Sequence, residues 1–200
     1  MALAALPRLP RIDSLARDRV LPVPGPVGSL LPGSGLQRGS VITVGGPVGA
    51  GTTTLTLQLV AAATAAGEWA AAVDPEGTVG GWAAAELGVA PERFAVVRRV
   101  PPARWTTVVA ALLDGVSLVV AGSPPLGLRV GDARRLMARA RERSSVLVVA
   151  GAWPAEAALR FEVHAASWPG LERGAGCLED RVLDVRVRGR GHENRLRVVS

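Results

Sequence analysis

Ser40-Val41-Ile42-Thr43-Val44-Gly45-Gly46-Pro47-Val48-Gly49-Ala50-Gly51-Thr52-Thr53 is the stretch from which the rest of this 200-residue chain is read. Ser40–Val44 is a short, β-branched, uncharged run closed by two glycines, the pattern of a buried strand. Thr53–Ala66 is rich in leucine and alanine, opens with threonine at the cap and stops at Gly67, which predicts a helix. Between the two lies the spacing of a phosphate-binding loop, G-x-x-x-x-G-K-[ST]. In such a loop glycines let backbone N–H groups turn toward phosphates, and the following helix presents its positive end. Gly46, Gly49, Gly51 and the closing Thr53 are present, but Thr52 stands at the lysine position. No lysine occurs anywhere in the chain, so none can reach in from elsewhere.

Outward from this loop the punctuation stays regular. Trp69–Val73 reads as a second strand ended by Asp74-Pro75-Glu76-Gly77, Val79–Leu87 as a helix ended by Gly88, and Phe94–Val97 as a third strand. Pro101-Pro102 opens a helix over Ala103–Asp114, with proline in the first turn where no N–H is missed. Val116–Val120 is a fourth buried strand and Ser145–Val149 a fifth. The helix between them, Val130–Arg143, keeps Val130, Ala133, Leu136, Met137 and Ala140 on one stripe. After Pro154 the rhythm changes: Leu159–Ser167, Arg181–Arg188 and Asn194–Val199 alternate as exposed ribbons do.

Strands alternating with helices imply right-handed crossovers and a parallel sheet. The expected fold is α/β, a mostly parallel sheet flanked by helices and extended at one edge by a C-terminal antiparallel β-ribbon over about 155–200. Residues 1–38 read as a Pro/Gly-rich leader before a single core domain, 39–200. Arg11–Val20 could hold a short helix, whereas Pro22, Pro24, Pro26 and Pro32 exclude a long one.

Composition bounds the function classes. The chain is 48% hydrophobic and 20% charged, a globular and not a disordered profile. A chain of this size can bury roughly 70% of its unfolded surface and needs no staple. Cys177 alone excludes an internal disulfide and a cysteine zinc site, and His164 and His192 leave little room for a metal centre. The formal charge is +6, but all 23 basic residues are arginine and tyrosine is absent, which points to GC-rich codon bias as much as to a polyanionic partner. Met1–Leu6 is too short for a signal peptide and runs into Arg8 and Arg11, while Leu55–Val73 is broken by Gly67-Glu68. A cytoplasmic protein without a membrane span is expected.

The run Gly35-Leu36-Gln37-Arg38-Gly39-Ser40-Val41-Ile42, then Gly46-Pro47, then Thr53-Thr54-Leu55-Thr56-Leu57-Gln58 resembles the RecA recombinase core. The likeness continues through Val73-Asp74-Pro75-Glu76, Leu87-Gly88-Val89 and Val119-Val120 to Ser145–Val149, and more loosely through Ala158-Leu159-Arg160-Phe161. Within that superfamily the chain is most similar to the divergent actinobacterial form of the ImuA-type accessory proteins, RecA-like partners of a mutagenic translesion polymerase assembly. The resemblance implies a RecA-like phosphate-loop core. Its lysine position is Thr52, its magnesium-orienting aspartate position is Ala121, and its γ-phosphate sensor falls near Gly151-Ala152. Thr53 matches the metal-coordinating hydroxyl and Glu76 the water-activating carboxylate, here vestigial.

Phosphoryl transfer rests on positioning and on charge around the γ-phosphate. Loss of one preorganised stabilising group costs ~10²–10³ in rate. A chain lacking both the cation and the magnesium carboxylate is therefore expected not to be an enzyme, and to need no cofactor. The glycines and Thr52–Thr53 read either as a weak anion nest or as what a tight strand-to-helix turn requires. Glu76 reads either as a relic base or as a solvated turn residue. The segments matching the DNA-holding loops, Gly122–Gly131 and the stretch from Ala152-Trp153-Pro154, are short, so no recombinase filament is expected.

Function by contact remains. Arg186, Arg188 and Arg190 share a strand face by alternation, with Arg195 and Arg197 near them. That face reads as a grip for an acidic partner or for DNA phosphates, or as a solvated edge guarded by charge. Trp153 and Trp168 flank the second loop region and read as docking anchors or as packing residues, while Trp82 and Trp105 read as packing. Cys177 beside His164 is a remote candidate nucleophile. The resemblance implies a non-hydrolysing scaffold in the SOS DNA-damage response, nucleoid-associated on damage. Its partners would be a Y-family-like, ImuB-type polymerase subunit and an error-prone C-family polymerase, with DNA contact weak or indirect. The alternatives are a SulA-like cell-division inhibitor and a nucleotide-binding regulatory module without hydrolysis.

Overall fold

The central sheet has eight strands, six of them parallel, and its order follows from where the uncharged runs fall. The structure, a computed structural model, describes residues 19–167 and 182–199. In chain order the elements are β1 (Val20–Pro22), α1 (Gly25–Ser29), β2 (Gly35–Gln37), β3 (Val41–Gly45), α2 (Thr52–Ala65), β4 (Ala70–Asp74), α3 (Gly81–Glu86) and β5 (Phe94–Arg98). There follow α4 (Trp105–Gly115), β6 (Leu118–Ala121), α5 (Val130–Arg143), β7 (Val146–Ala150), β8 (Leu159–Ser167), β9 (Val182–Gly189) and β10 (His192–Val199). The order across the large sheet is β10-β9-β8-β3-β7-β6-β4-β5.

β3, β4, β6 and β7 are fully or almost fully buried, as strands covered on both faces must be. On one face Ile42, Val44, Ala72, Val120 and Val148 pack under α2 through Leu55, Leu59 and Val60. On the other, Val41, Val119, Leu147 and Val149 pack with Trp105, Val109 and Leu113 of α4 and Leu136 and Ala140 of α5. β8 continues the parallel set, pairing Ile42↔Leu159 through Gly45↔Glu162, and β9 and β10 then add antiparallel strands. The expected architecture is thus present: a mostly parallel sheet flanked by helices and prolonged by C-terminal antiparallel strands.

The two faces of this ribbon differ. Phe161, Val163, Leu183, Val185 and Val187 join the core under α2. The alternate residues, Arg160, Glu162 and His164 on β8 and Asp184, Arg186 and Arg188 on β9, take the opposite face, because side chains repeat every two residues.

Two expectations are corrected. The expected leader 1–38 is structured and packed from Val20 onward: β1 and β2 pair antiparallel, and Leu21, Val23, Val27, Leu30, Leu31 and Leu36 lie in the core with α2 and the ribbon. Proline forbids a long helix there but does not stop short apolar segments from being buried. The candidate helix Arg11–Val20 lies outside the described residues except for Arg19 and Val20, and Val20 is in β1. The helix after the loop begins at Thr52, capped by the backbone of Gly51 and not by a threonine side chain.

Candidate functional site

In an open α/β sheet, ligands bind beyond the carboxyl ends of the strands, where successive connections leave on opposite faces. Here β3 is followed by α2 on one face, whereas β6 is followed by α5 on the other, so the crevice lies at the ends of β3, β7 and β6. The Gly46–Gly51 loop stands there.

Each glycine of the loop has a geometric reason. Gly49 (φ 80°) and Gly51 (φ 104°) adopt the left-handed backbone that side chains disfavour. A Cβ on Gly46 would lie 2.5 Å from the Val163 carbonyl oxygen of β8 and 3.2 Å from Cγ2 of Thr52. The Ala50 N–H donates to the Pro47 carbonyl (3.1 Å) and the Leu55 N–H to the Gly51 carbonyl (2.9 Å), closing the turn into the helix. Val48 stands fully exposed at the tip. Thr53 is exposed at the second position of α2, and the Thr56 hydroxyl donates back to the Thr52 carbonyl (2.7 Å).

On the α2 side of the loop lies a cavity of about 50 Å³, lined by Thr52, Thr53, Thr56, Asp74, Thr78 and Gly122 among others. Small-molecule sites run to about 300–1,000 Å³, and this space is well below that range. Its one carboxylate is Asp74 at the end of β4, 3% exposed. Both oxygens of Asp74 are engaged: Oδ1 accepts from the Thr78 N–H (2.8 Å) and hydroxyl (3.2 Å), and Oδ2 from the Val79 N–H (3.0 Å), with Arg98 Nε 3.7 Å away. It ties down the loop after β4. Sequence reasoning passed over Asp74 in favour of Glu76, which stands exposed in the turn. The signal was available, since aspartate followed by Thr78-Val79 suits a side-chain-to-backbone turn.

The remaining positions at the strand ends are neutral. Ala121 ends β6 fully buried, and the Gly122 N–H donates to the Val73 carbonyl (2.8 Å). The Trp105 indole N–H donates to the Gly122 carbonyl (3.3 Å), tethering α4 to the same end. Trp105 is buried as expected. Trp82 is not: it is 80% exposed, its indole donating to Glu86 (2.7 Å) on the short helix α3.

On the other face of β3 the space is wider. A cleft of about 520 Å³ is lined by Thr43, Gly45, Gly46 and Pro47, by Gly151, Ala152 and Trp153, and by β8 from Arg160 to His164. Trp153 packs on the Val41–Val149–Trp105 core. Three buried side-chain atoms among the described residues lack a hydrogen-bond partner, Thr43 Oγ1, Gln58 Oε1 and Trp153 Nε1, and two of the three belong to this cleft.

The arginine ribbon is more neutral than its sequence suggested. Arg186 and Arg188 share a face and both reach Glu193 (3.6 and 3.2 Å), with Arg188 also 3.7 Å from Glu162. Arg195 binds Asp184 through two hydrogen bonds, which hold the Asp184 carboxyl below the usual carboxylate range. Arg190 does not join them: it sits in the β9–β10 turn and forks onto Glu156 (3.0 and 3.1 Å). Glu156 and Glu162 lie far from these arginines in the sequence, and pairing is settled in space. Arg160 and Arg197 keep no ion pair among the described residues. Trp168 and Cys177 lie outside the described residues, so the Trp153–Trp168 pairing and the Cys177–His164 pairing do too.

Among the described residues no cluster of three or more metal-ligating side chains occurs, and no helix is long and apolar enough to cross a membrane. No curated protein matches the sequence. The stretch that a family model does match runs over residues 29–155, from the end of α1 through the loop and the α2-side cavity to the segment before β8. That is more than half of the chain, and the protein belongs to the family described as the MT3502 N-terminal domain.

Proposed function

We propose that this protein is a non-hydrolysing, RecA-like scaffold that recruits or organises an error-prone translesion polymerase complex after DNA damage. The observation that carries the non-hydrolysing half is the α2-side cavity. It is small, Thr52 lines it where the resemblance would place a lysine, and its one carboxylate is spent on loop hydrogen bonds, while Ala121, the magnesium-carboxylate position of the resemblance, is buried and uncharged. Electrostatic stabilisation of a transferring phosphoryl group needs charges aimed into the site. The polymerase half rests on the resemblance of Gly35–Val149 to ImuA-type proteins.

Affinity purification of the full chain from DNA-damaged cells tests this reading. A Y-family-like subunit or an error-prone replicative-type polymerase is expected to co-purify, and its absence overturns the assignment. Purified protein is expected to show no DNA-stimulated ATP turnover. Turnover that disappears in Glu76→Gln would overturn the non-hydrolysing half.

A further inference from the structure

The cleft on the Trp153 side of β3 has the marks of a site in use. Its volume falls within the range of ligand sites, in contrast to the cavity under α2. Its floor includes Thr43, 5% exposed, whose hydroxyl has no partner among the described residues, and its wall includes the indole N–H of Trp153, likewise buried and without a partner among them. Native proteins rarely leave such groups unpaired, and each one calls for a partner from outside the chain, a water or a ligand group. On its rim Arg160 is exposed and has no ion pair among the described residues, while Glu162 stands 3.7 Å from Arg188.

Each of these groups can donate: a guanidinium and an indole N–H, which can only donate, and a hydroxyl, which can donate or accept. The ribbon face that borders the cleft carries Arg160, Arg186, Arg188, Arg195 and Arg197 against Glu162, Asp184 and Glu193, an excess of positive charge. What these share is a demand for an acceptor with negative charge.

We propose that this cleft is a docking slot for an acidic side chain of a partner polypeptide, with Arg160 as its cation and Trp153 as its gate. A carboxylate entering beside β8 forks onto the Arg160 guanidinium. A turn of the indole, with Gly151 (φ 122°) as the pivot behind it, brings the Trp153 N–H to the second oxygen and uncovers the Thr43 hydroxyl. This deepens the scaffold reading above, on which it rests for the partner being a protein, by naming what that partner presents.

The test follows the indole N–H resonances of the full-length, ¹⁵N-labelled protein, with the Trp153 signal assigned by its loss in Trp153→Phe. The probe is N-acetyl-tetraglutamate amide, with the tetraglutamine peptide, inorganic phosphate and a short oligothymidylate as comparisons. Tetraglutamate is expected to shift the Trp153 signal saturably and tetraglutamine to leave it in place. Arg160→Ala is expected to weaken binding about tenfold or more. Arg197→Ala, which removes the same charge from the same ribbon, should change it less than about twofold. Arg160→Gln replaces the alanine variant if that fails to fold. Equal losses in the two arginine variants, no shift with tetraglutamate, or saturation by phosphate or oligothymidylate at lower concentration would each overturn the slot. If tetraglutamate binds as described while no polymerase subunit co-purifies, the slot stands and the assigned partner falls.

Discussion

The two ends of the sheet are built from the same strands and treat their polar groups in opposite ways. At the amino ends, Glu68 accepts from the Ser117 hydroxyl and from Arg38, tying the chain before β4, β6 and β3 together. Ser145, buried before β7, places its hydroxyl 2.9 Å from the carbonyls of both Leu113 and Val116 where α4 ends. Ser40 likewise donates to the Gln37 carbonyl (2.6 Å). Toward the carboxyl ends Thr43 and Trp153 hold buried polar atoms with no partner among the described residues. Asp74 and the Trp105 indole are exceptions, engaged at that same end. The contrast separates polar groups used to hold strands together from polar groups without a partner among the described residues.

Substitutions at the two ends should respond accordingly. The largest effect is expected at the first of these exceptions. Asp74→Ala strands the Thr78 and Val79 N–H groups and should cost roughly 3 kcal/mol in urea unfolding, given the usual worth of hydrogen bonds to a charged acceptor. A cost near zero would remove Asp74 from the framework. Next comes Gly46→Ala, which sets a Cβ against the β8 backbone between the two concavities and should cost about 1–3 kcal/mol by overpacking. Tolerance of alanine would mean that β8 can slide away from β3.

The two buried hydroxyls make the sharpest pair. Ser145→Ala should destabilise by about 1 kcal/mol, since it leaves carbonyls unpaired. Thr43→Val should stabilise by about 1 kcal/mol, since it removes a buried hydroxyl that has no partner. Shifts of the same sign in thermal melts would break the comparison between the ends.

The smallest effect is a pH dependence. The Ser117 hydroxyl first, and then Arg38, hold the Glu68 carboxyl below the usual glutamate range of about 4.3. A lowered folded-state pKa contributes stability above the unfolded value, and this is lost as pH falls through the folded value. Glu68→Gln should therefore flatten part of the acid limb below about pH 4.3 while leaving the dependence near neutrality unchanged. The group is partly exposed, so solvent screening keeps the difference small.

Much of the architecture was legible because it rests on local signals. The uncharged runs at β3, β6 and β7 could only be strands covered on both sides, and α5 was legible to the residue, Val130–Arg143, from its apolar stripe. The N-terminal elements escaped notice because prolines and glycines dominate the composition there, while the burial of Leu21, Leu30 and Leu36 depends on α2 and β10 arriving from far along the chain. The phosphate-loop position was legible from glycine spacing. The role of Asp74, the exposure of Trp82 and the pairing of the ribbon arginines were not, since each depends on a neighbour that a one-dimensional pattern does not supply.

The sequence by itself determined the alternation of strands and helices, the loop between β3 and α2, and the absence of a lysine from that loop. These follow from residue type, spacing and backbone preference, which act over a few residues. Tertiary structure alone decided that the cavity beside α2 is small, that Arg190 turns to Glu156, and that Thr43, Trp153 and Arg160 border one cleft. Volume, ion pairing and the convergence of donors are properties of groups distant in sequence, and they exist only once the strands lie side by side.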